Sequence, residues 1–251
     1  MKEATGTGTK KKRLLIAGMV VLIIAVAVLG GIKLWRIQQR DQPGILLAFD
    51  DYSPDTWEAH FDLFDKYDVR ATFFINAGEP VEFCYAAQER GHEIGFHTIT
   101  HRNLLECTED EIYEEAIAPI EVFREKGIEL TSFAYPYGNY NEQLNEMMLE
   151  HYNIVRGAWQ CELNLKHNLR HGFVEAMALD NSYYETQEAF ETSMTDILSN
   201  LKQQKGMVIC MYSHAIGDGG WCINEEKLEY LLKTAKELGL KFYTFQDFQE
   251  K

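Results

Sequence analysis

Residues 45–57 read Ile-Leu-Leu-Ala-Phe-Asp-Asp-Tyr-Ser-Pro-Asp-Thr-Trp. The apolar run 45–49 shows no polar alternation. A strand buried on both faces requires such a run, and strands of that kind belong to parallel sheets. Ser53-Pro54 then reads as a helix start, with Ser as cap and Pro at the first helical position. Trp57, Phe61 and Phe64 share one face of that helix.

Outward from this unit the alternation continues. Residues 71–76 and 93–96 read as strands, with a helix over 80–90 between them. Thr108-Glu109-Asp110-Glu111 is a capping box. It opens a long helix with Ile112, Ala116, Ile117, Ile120 and Phe123 inward and a kink expected at Pro119. Strand 132–135, helix 141–150 and strands 154–158 and 174–179 follow, the last two separated by a poorly patterned stretch. A helix over 187–203, a strand over 207–212, an Asn224-capped helix ending at Gly239 and a strand over 241–245 complete the series. Seven or eight strands separated by helices make an α/β protein with a parallel sheet, open or closed into a barrel.

The chain has 251 residues, 46% hydrophobic and 25% charged, enough for one large domain or two small ones. Eight of its 24 Lys and Arg fall in residues 1–40 beside a single acid, Glu3. The remainder carries 16 bases against 38 acids. A body that acidic repels phosphate backbones, so nucleic acid is not an expected partner. Residues 14–32 hold 19 uncharged apolar positions after the basic cluster Lys10–Arg13. That is about one membrane span, and the basic flank places the N-terminus inside. The rival is a cleaved signal peptide with Ala25-Val26-Ala27 as its cleavage site. The expected organisation is a cytoplasmic tail 1–13, an anchor 14–34, a linker 35–43 and an exported catalytic domain 44–251, in the cell membrane with a single pass. Five cysteines leave at least one unpaired within the chain, and no Cys-x-x-Cys occurs. Cys210 reads as a core residue.

Four strand ends carry polar clusters, where parallel α/β enzymes place their chemistry. Asp50-Asp51 is either a solvated turn or a metal ligand with a base beside it. His97-Thr98-Ile99-Thr100-His101 puts two imidazoles four apart; on a helical turn both face one way and, with one Asp, give three ligands and an open position. His92 falls on the opposite face from His97. Tyr135-Pro136-Tyr137-Gly138 shapes a rigid loop whose N–H groups suit an oxyanion. Ser213-His214 offers a general acid, and Gly217-Asp218-Gly219-Gly220 beyond it reads as a mobile rim. Standing alone, each cluster has a bland alternative in packing or solvation.

In this order the clusters resemble the polysaccharide deacetylases (carbohydrate esterase family 4, the NodB homology domain) over about residues 44–247. Phe49-Asp50-Asp51, the pattern His-Thr-x-x-His over 97–101, Pro136-Tyr137-Gly138 and His214 stand at four family motifs. The resemblance implies a deformed (β/α)7 barrel and one divalent metal, usually zinc, with cobalt, nickel or manganese as alternatives. It implies Asp51, His97 and His101 as ligands, Asp50 as general base, His214 as acid, and the Tyr137 N–H at the oxyanion. The implied reaction removes N-acetyl groups from an extracytoplasmic glycan: peptidoglycan, a chitin-like oligomer or an exopolysaccharide. Tyr135, Tyr137, Tyr140 and Trp221 are candidates to stack on sugars. The family's Arg that orients the base is Ala134 here, so either another cation, Arg102 or Arg156, does that work or Asp50 is held by other means. Tyr52 stands where Gly is usual, and Tyr212 where a Leu of the acetyl pocket is usual. Asp180, with Tyr183 and Tyr184, is the candidate support for His214. Two other readings stay open: an acetyl-ester or small cyclic-amide hydrolase on the same centre, and a catalytically decayed glycan-binding module.

Overall fold

A computed structural model describes residues 42–159, 162–166, 169 and 172–248. The expected tail, anchor and most of the linker lie outside these residues, as does Cys161. None of the described helices is long and apolar enough to cross a membrane.

The strands are β1 (Gly44–Phe49), β2 (Thr72–Ile75), β3 (Glu93–Phe96), β4 (Ser132–Ala134), β5 (Ile154–Arg156), β6 (Leu163–Leu165), β7 (Gly172–Val174), β8 (Ala176–Ala178), β9 (Met207–Ser213), β10 (Ala215–Ile216), β11 (Cys222–Ile223) and β12 (Lys241–Tyr243). The pairing runs β9-β1-β2-β3-β4-β5-β7, all parallel. The chain then bends at Glu175, and β8 pairs in parallel with β9. One bent segment thus joins β5 to β9 and turns the sheet into a nearly closed barrel of seven strand positions. β6 lies antiparallel on the first half of β9. It arises in the stretch that sequence patterning leaves unassigned, because Leu-Asn-Leu is too short to carry a period.

The alternation of β1 sorts the two faces. Ile45, Leu47 and Phe49 join the layer beneath the helices, whereas Leu46 and Ala48 join the barrel interior with Phe74, Ile154, Val174, Cys210 and Tyr212. Asp50 continues the inward set (46, 48, 50), and so does Arg156 after Ile154. Cys210 is fully buried and, like Cys84, Cys107 and Cys222, a free thiol.

Outside the barrel, α1 (Pro54–Glu58) and α2 (Phe61–Tyr67) replace the first expected helix, and Ser53 makes no side-chain cap. Trp57, Phe61 and Phe64 are buried against Phe49 and Phe73. His92 stacks on Phe61 and accepts the Ala71 N–H (3.1 Å); burial lowers its pKa to about 4, so it is a neutral core residue. α3 is Glu82–Glu89. The Thr108 capping box opens α4 (Glu109–Ile112), which passes through a π-helical turn, Tyr113–Ile117, into α5 (Ala118–Glu125). The irregularity thus lies before Pro119 and not at it. α6 (Glu142–Leu149), α7 (Gln187–Gln203) and α8 (Glu225–Glu237) complete the shell. Asn141, Thr186 and Asn224 cap these three with side-chain oxygens.

Candidate active site

Every candidate residue leaves the same rim of the barrel. In-register pairing aligns the C-terminal strand ends: Phe49 with Ser213, Ile75 with Phe96, Ala134 with Arg156, Ala178 with Tyr212. Asp50-Asp51, Asn76, His97, Tyr135-Pro136-Tyr137, Asp180 and His214 follow those ends directly.

Asp51 Oδ1 lies 3.3 Å from His97 Nε2 and 3.2 Å from His101 Nε2. The three ligand atoms all fall within 4.8 Å of one another. The His97 Nδ1 contacts the Ala134 carbonyl (2.7 Å). A carbonyl only accepts, so the proton sits on Nδ1 and Nε2 offers its lone pair to the cluster. Burial disfavours the Asp51 carboxylate, but the two imidazoles outweigh it and hold the carboxyl well below the usual range. Oδ1 is buried without a hydrogen-bond partner. One carboxylate and two imidazoles around a buried, uncompensated oxygen fit a divalent cation.

The loop between the histidines is not the helical turn expected from their spacing. Thr98 (φ 66°) and His101 (φ 59°) take left-handed backbone, as do Asp51 (φ 71°) and Tyr137 (φ 60°). Four of the six non-glycine positive-φ residues among those described therefore border the cluster. Such strain persists only where neighbours enforce it, and two of those neighbours were not legible in sequence. Asn76 Nδ2 donates to the carbonyls of His97 and Thr98 (3.2 Å to the latter). Glu115 accepts from Ile99 N–H (3.1 Å), Thr100 N–H (3.0 Å) and the Thr100 hydroxyl (2.7 Å). Glu115 sits in the π-helical turn. Pro119, four residues on, has no N–H to give the Glu115 carbonyl, and that carbonyl accepts from Ile99 as well (3.1 Å). The helix irregularity is thus what ties α4 to the histidine loop.

Asp50 is 3% exposed and Arg156 is 1% exposed, and Asp50 Oδ2 is ion-paired with Arg156. Of the two arginines, Arg156 is thus the one paired with Asp50. Its guanidinium lies over the rings of Phe74 (5.2 Å) and Tyr212 (4.8 Å). Arg102, the other candidate, is engaged with Glu111 at 3.0 Å.

His214 Nδ1–H donates to Asp180 Oδ2 (2.9 Å), while Asp180 Oδ1 accepts from the Ser213 hydroxyl (2.5 Å) and from the His214 N–H (3.3 Å). Asp180 is fully buried. Its carboxylate fixes the tautomer with Nε2 outward. Burial works against the imidazolium, but Asp180, Asp50 and Asp51 outweigh it and raise the His214 pKa. Trp57 Nε1–H donates to the His214 carbonyl (2.7 Å), a support that sequence reading assigned only to the core.

The Tyr137 ring meets His101 edge-on at 4.5 Å. Gly138 (φ +66°) lies so close to Trp159 Nε1 that a Cβ would sit 2.6 Å from it. Tyr135 and Pro136 are buried. Tyr135 stacks on Tyr140, so its ring packs the loop from below and offers no surface to a sugar. Tyr212 lines a cavity of about 290 Å³ with Trp159, Met177, Ala178, Tyr183 and Tyr184. A larger cleft of about 560 Å³ is lined by His101, Arg102, Asn103, Glu106, Tyr137 and Asn139. The glycine-rich loop after His214 is tied to residues 181 and 182. Asn181 Nδ2 donates to both Gly217 O and Gly219 O (3.0 Å each), and Ser182 N–H to Gly220 O (3.0 Å).

The family model for polysaccharide deacetylases matches residues 38–152. Over 107 residues the chain is 29% identical to the peptidoglycan-N-acetylglucosamine deacetylase PgdA of Listeria monocytogenes, across 41% of this chain and 23% of that relative. The chain thus spans about a quarter of that curated relative's length. Among solved structures, peptidoglycan deacetylase PdaC from Bacillus subtilis superposes with a TM-score of 0.55 at 19% identity, covering 82% of this chain and 90% of that one. The chitin deacetylase from Colletotrichum lindemuthianum gives 0.59 at 19% identity, covering 84% and 89%. At 82% and 84% of this chain, these likenesses carry the shared fold past residue 152. The family match falls on the stretch that carries Asp50-Asp51, His97 to His101 and Pro136-Tyr137-Gly138, and over that stretch the chain is similar to the polysaccharide deacetylases.

Proposed function

We propose that the chain is a metal-dependent hydrolase that removes N-acetyl groups from a glycan outside the cytoplasmic membrane, with peptidoglycan as the leading substrate. The observation that carries this reading is one rim holding three groups side by side: the Asp51–His97–His101 cluster, the buried Asp50–Arg156 pair and the Asp180-supported His214. When bound by the cluster, a divalent cation, expected to be zinc, supplies Lewis acidity to water and to the acetamide carbonyl. Asp50 takes the proton of the attacking water, and Arg156 keeps its carboxylate oriented into the barrel mouth. The Tyr137 N–H steadies the carbonyl oxygen as it gains charge; a donor of that kind contributes about 3 kcal/mol. His214 Nε2–H protonates the departing amine. The C–N bond breaks, a C–O bond forms, and acetate and a free amino sugar leave. The anchor over 14–34 would hold this domain at the outer face of the membrane.

The tying of the His214 support favours this reading over a decayed glycan-binding module, which would need neither Asp180 nor Arg156 buried in place. The test is acetate release by the full chain from a panel of N-acetylated glycans and acetyl esters, with and without chelator. Chelator-sensitive acetate release from the amide substrates supports the proposal. Release from esters alone would favour the esterase alternative, and glycan binding without release would favour the decayed module.

A further inference from the structure

Residues 180, 181 and 182 each hold a different part of the site. Asp180 grips His214. Asn181 Nδ2 bridges the carbonyls of Gly217 and Gly219 (3.0 Å each). Ser182 N–H holds Gly220 O (3.0 Å). The Asn181 oxygen is itself fixed, accepting from Lys227 Nζ (3.0 Å) and Asn224 N–H (3.4 Å) at the start of α8. The Lys227 Nζ also donates to Tyr184 O (3.3 Å). β10 and β11 pair in parallel across the base of the same loop. The product of all these ties is the placement of one residue, Trp221. Its indole is 65% exposed and meets the His214 ring at 5.7 Å and 80°. A large aromatic left in water costs free energy, yet here three hydrogen bonds from Asn181 and Ser182 hold its loop in place beside the proposed proton donor. A fixed aromatic face flanked by polar groups suits the apolar face of a pyranose ring.

We propose that Trp221 is the platform for a sugar unit neighbouring the one that is deacetylated, and that Asn181 is the positioning residue that sets it. The inference rests on the deacetylase reading and deepens it: the substrate is an oligomer that contacts the enzyme beyond the reacting unit. Asn181→Asp tests it, because it keeps the acceptor facing Lys227 and Asn224 but replaces the donor to Gly217 and Gly219 with a carboxylate oxygen. The probes are N-acetylglucosamine and its β-1,4-linked tetramer, used with the full chain. For both Asn181→Asp and Trp221→Ala, kcat/KM on the tetramer falls about tenfold through KM, which is about 1.4 kcal/mol, and the loss on the monomer is less than threefold. Independently of turnover, the Trp221 signal of 5-fluorotryptophan-labelled protein, assigned with Trp221→Phe, shifts when the tetramer is added, and Asn181→Asp abolishes that shift. A Trp221 signal that the tetramer leaves unmoved overturns the platform, and acetate released in the same sample leaves the deacetylase reading standing. A signal that shifts equally in Asn181→Asp overturns the role of Asn181. A shift without any acetate release overturns the deacetylase reading and leaves the platform in place.

Discussion

Replacing Arg156 by Met removes the guanidinium that is ion-paired with Asp50 in the barrel interior. Both residues are almost fully buried, and Asp50 Oδ1 already has no hydrogen-bond partner. Without the guanidinium the carboxylate stands uncompensated in an apolar setting, and breaking a buried pair in this way costs about 3–5 kcal/mol. Met keeps the packing against Phe74 and Tyr212, so a cavity contributes little. The double variant Asp50→Asn/Arg156→Met removes both charges and should recover most of that loss. The assay is urea denaturation at pH 7 in chelator, so that metal linkage does not enter. Four proteins close a double-mutant cycle: the unmodified chain, each single variant and the double. The coupling should be about 2 kcal/mol or more, and Arg156→Met should lower kcat about 100-fold by misplacing the proposed base. If the two single costs simply add, or if Arg156→Met costs under about 1 kcal/mol, the pair does not hold the base and the assignment of Arg156 fails.

Further outcomes follow from the same geometry. Asp180→Asn removes the carboxylate that raises the His214 pKa, so protonated His214 is lost at lower pH; the falling alkaline limb of kcat/KM should move to lower pH and not to higher. Glu93 is fully buried, and burial outweighs its bonds to Ser132, Gln246 and Thr72 to raise its pKa from 4.5 to about 7. Its folded form keeps a proton that the unfolded chain loses, so the stability Glu93 contributes is greatest below about 4.5 and declines by about 3 kcal/mol as pH rises to about 7. Urea melts of Glu93→Gln across that window should lack the decline. Gly138→Ala drives a Cβ into Trp159 and Ala158 at a positive φ; it should lower kcat at least tenfold while the far-UV circular dichroism stays unchanged. Zinc binding by that variant should survive, because the three ligands lie elsewhere.

Much of the barrel was legible because continuous apolar runs mark buried parallel strands, and Glu93–Phe96 and Gln187–Gln203 fall at their expected bounds. The strand-end clusters were legible for the same reason: polar residues that directly follow such runs can only stand at a rim. Two kinds of information were hidden. Backbone handedness was one. The spacing of His97 and His101 suits a helical turn, yet left-handed Thr98 and His101 bring the rings together. Long-range partners were the other. Nothing local to Glu115 or Asn76 announces that they clamp the histidine loop. Nothing local to Arg156 selects it over Arg102; only the inward alternation of β5 against β1 does so. Tyr135 was misread as a sugar contact because an aromatic beside a Pro-Tyr-Gly turn carries no sign of which way it faces, and the fold turns it inward.

The proposed chemistry needs Asp51, His97 and His101 to grip one cation. Zinc titrated into the metal-free full chain, with acetate release from an N-acetylated glycan followed in the same samples, measures both halves of that statement. The expected result is one ion bound per chain and activity that returns in step with it, both lost in His101→Ala, with binding alone retained in Asp50→Asn. Acetate release that survives complete removal of metal, or zinc bound as tightly by His101→Ala as by the unmodified chain, would contradict it.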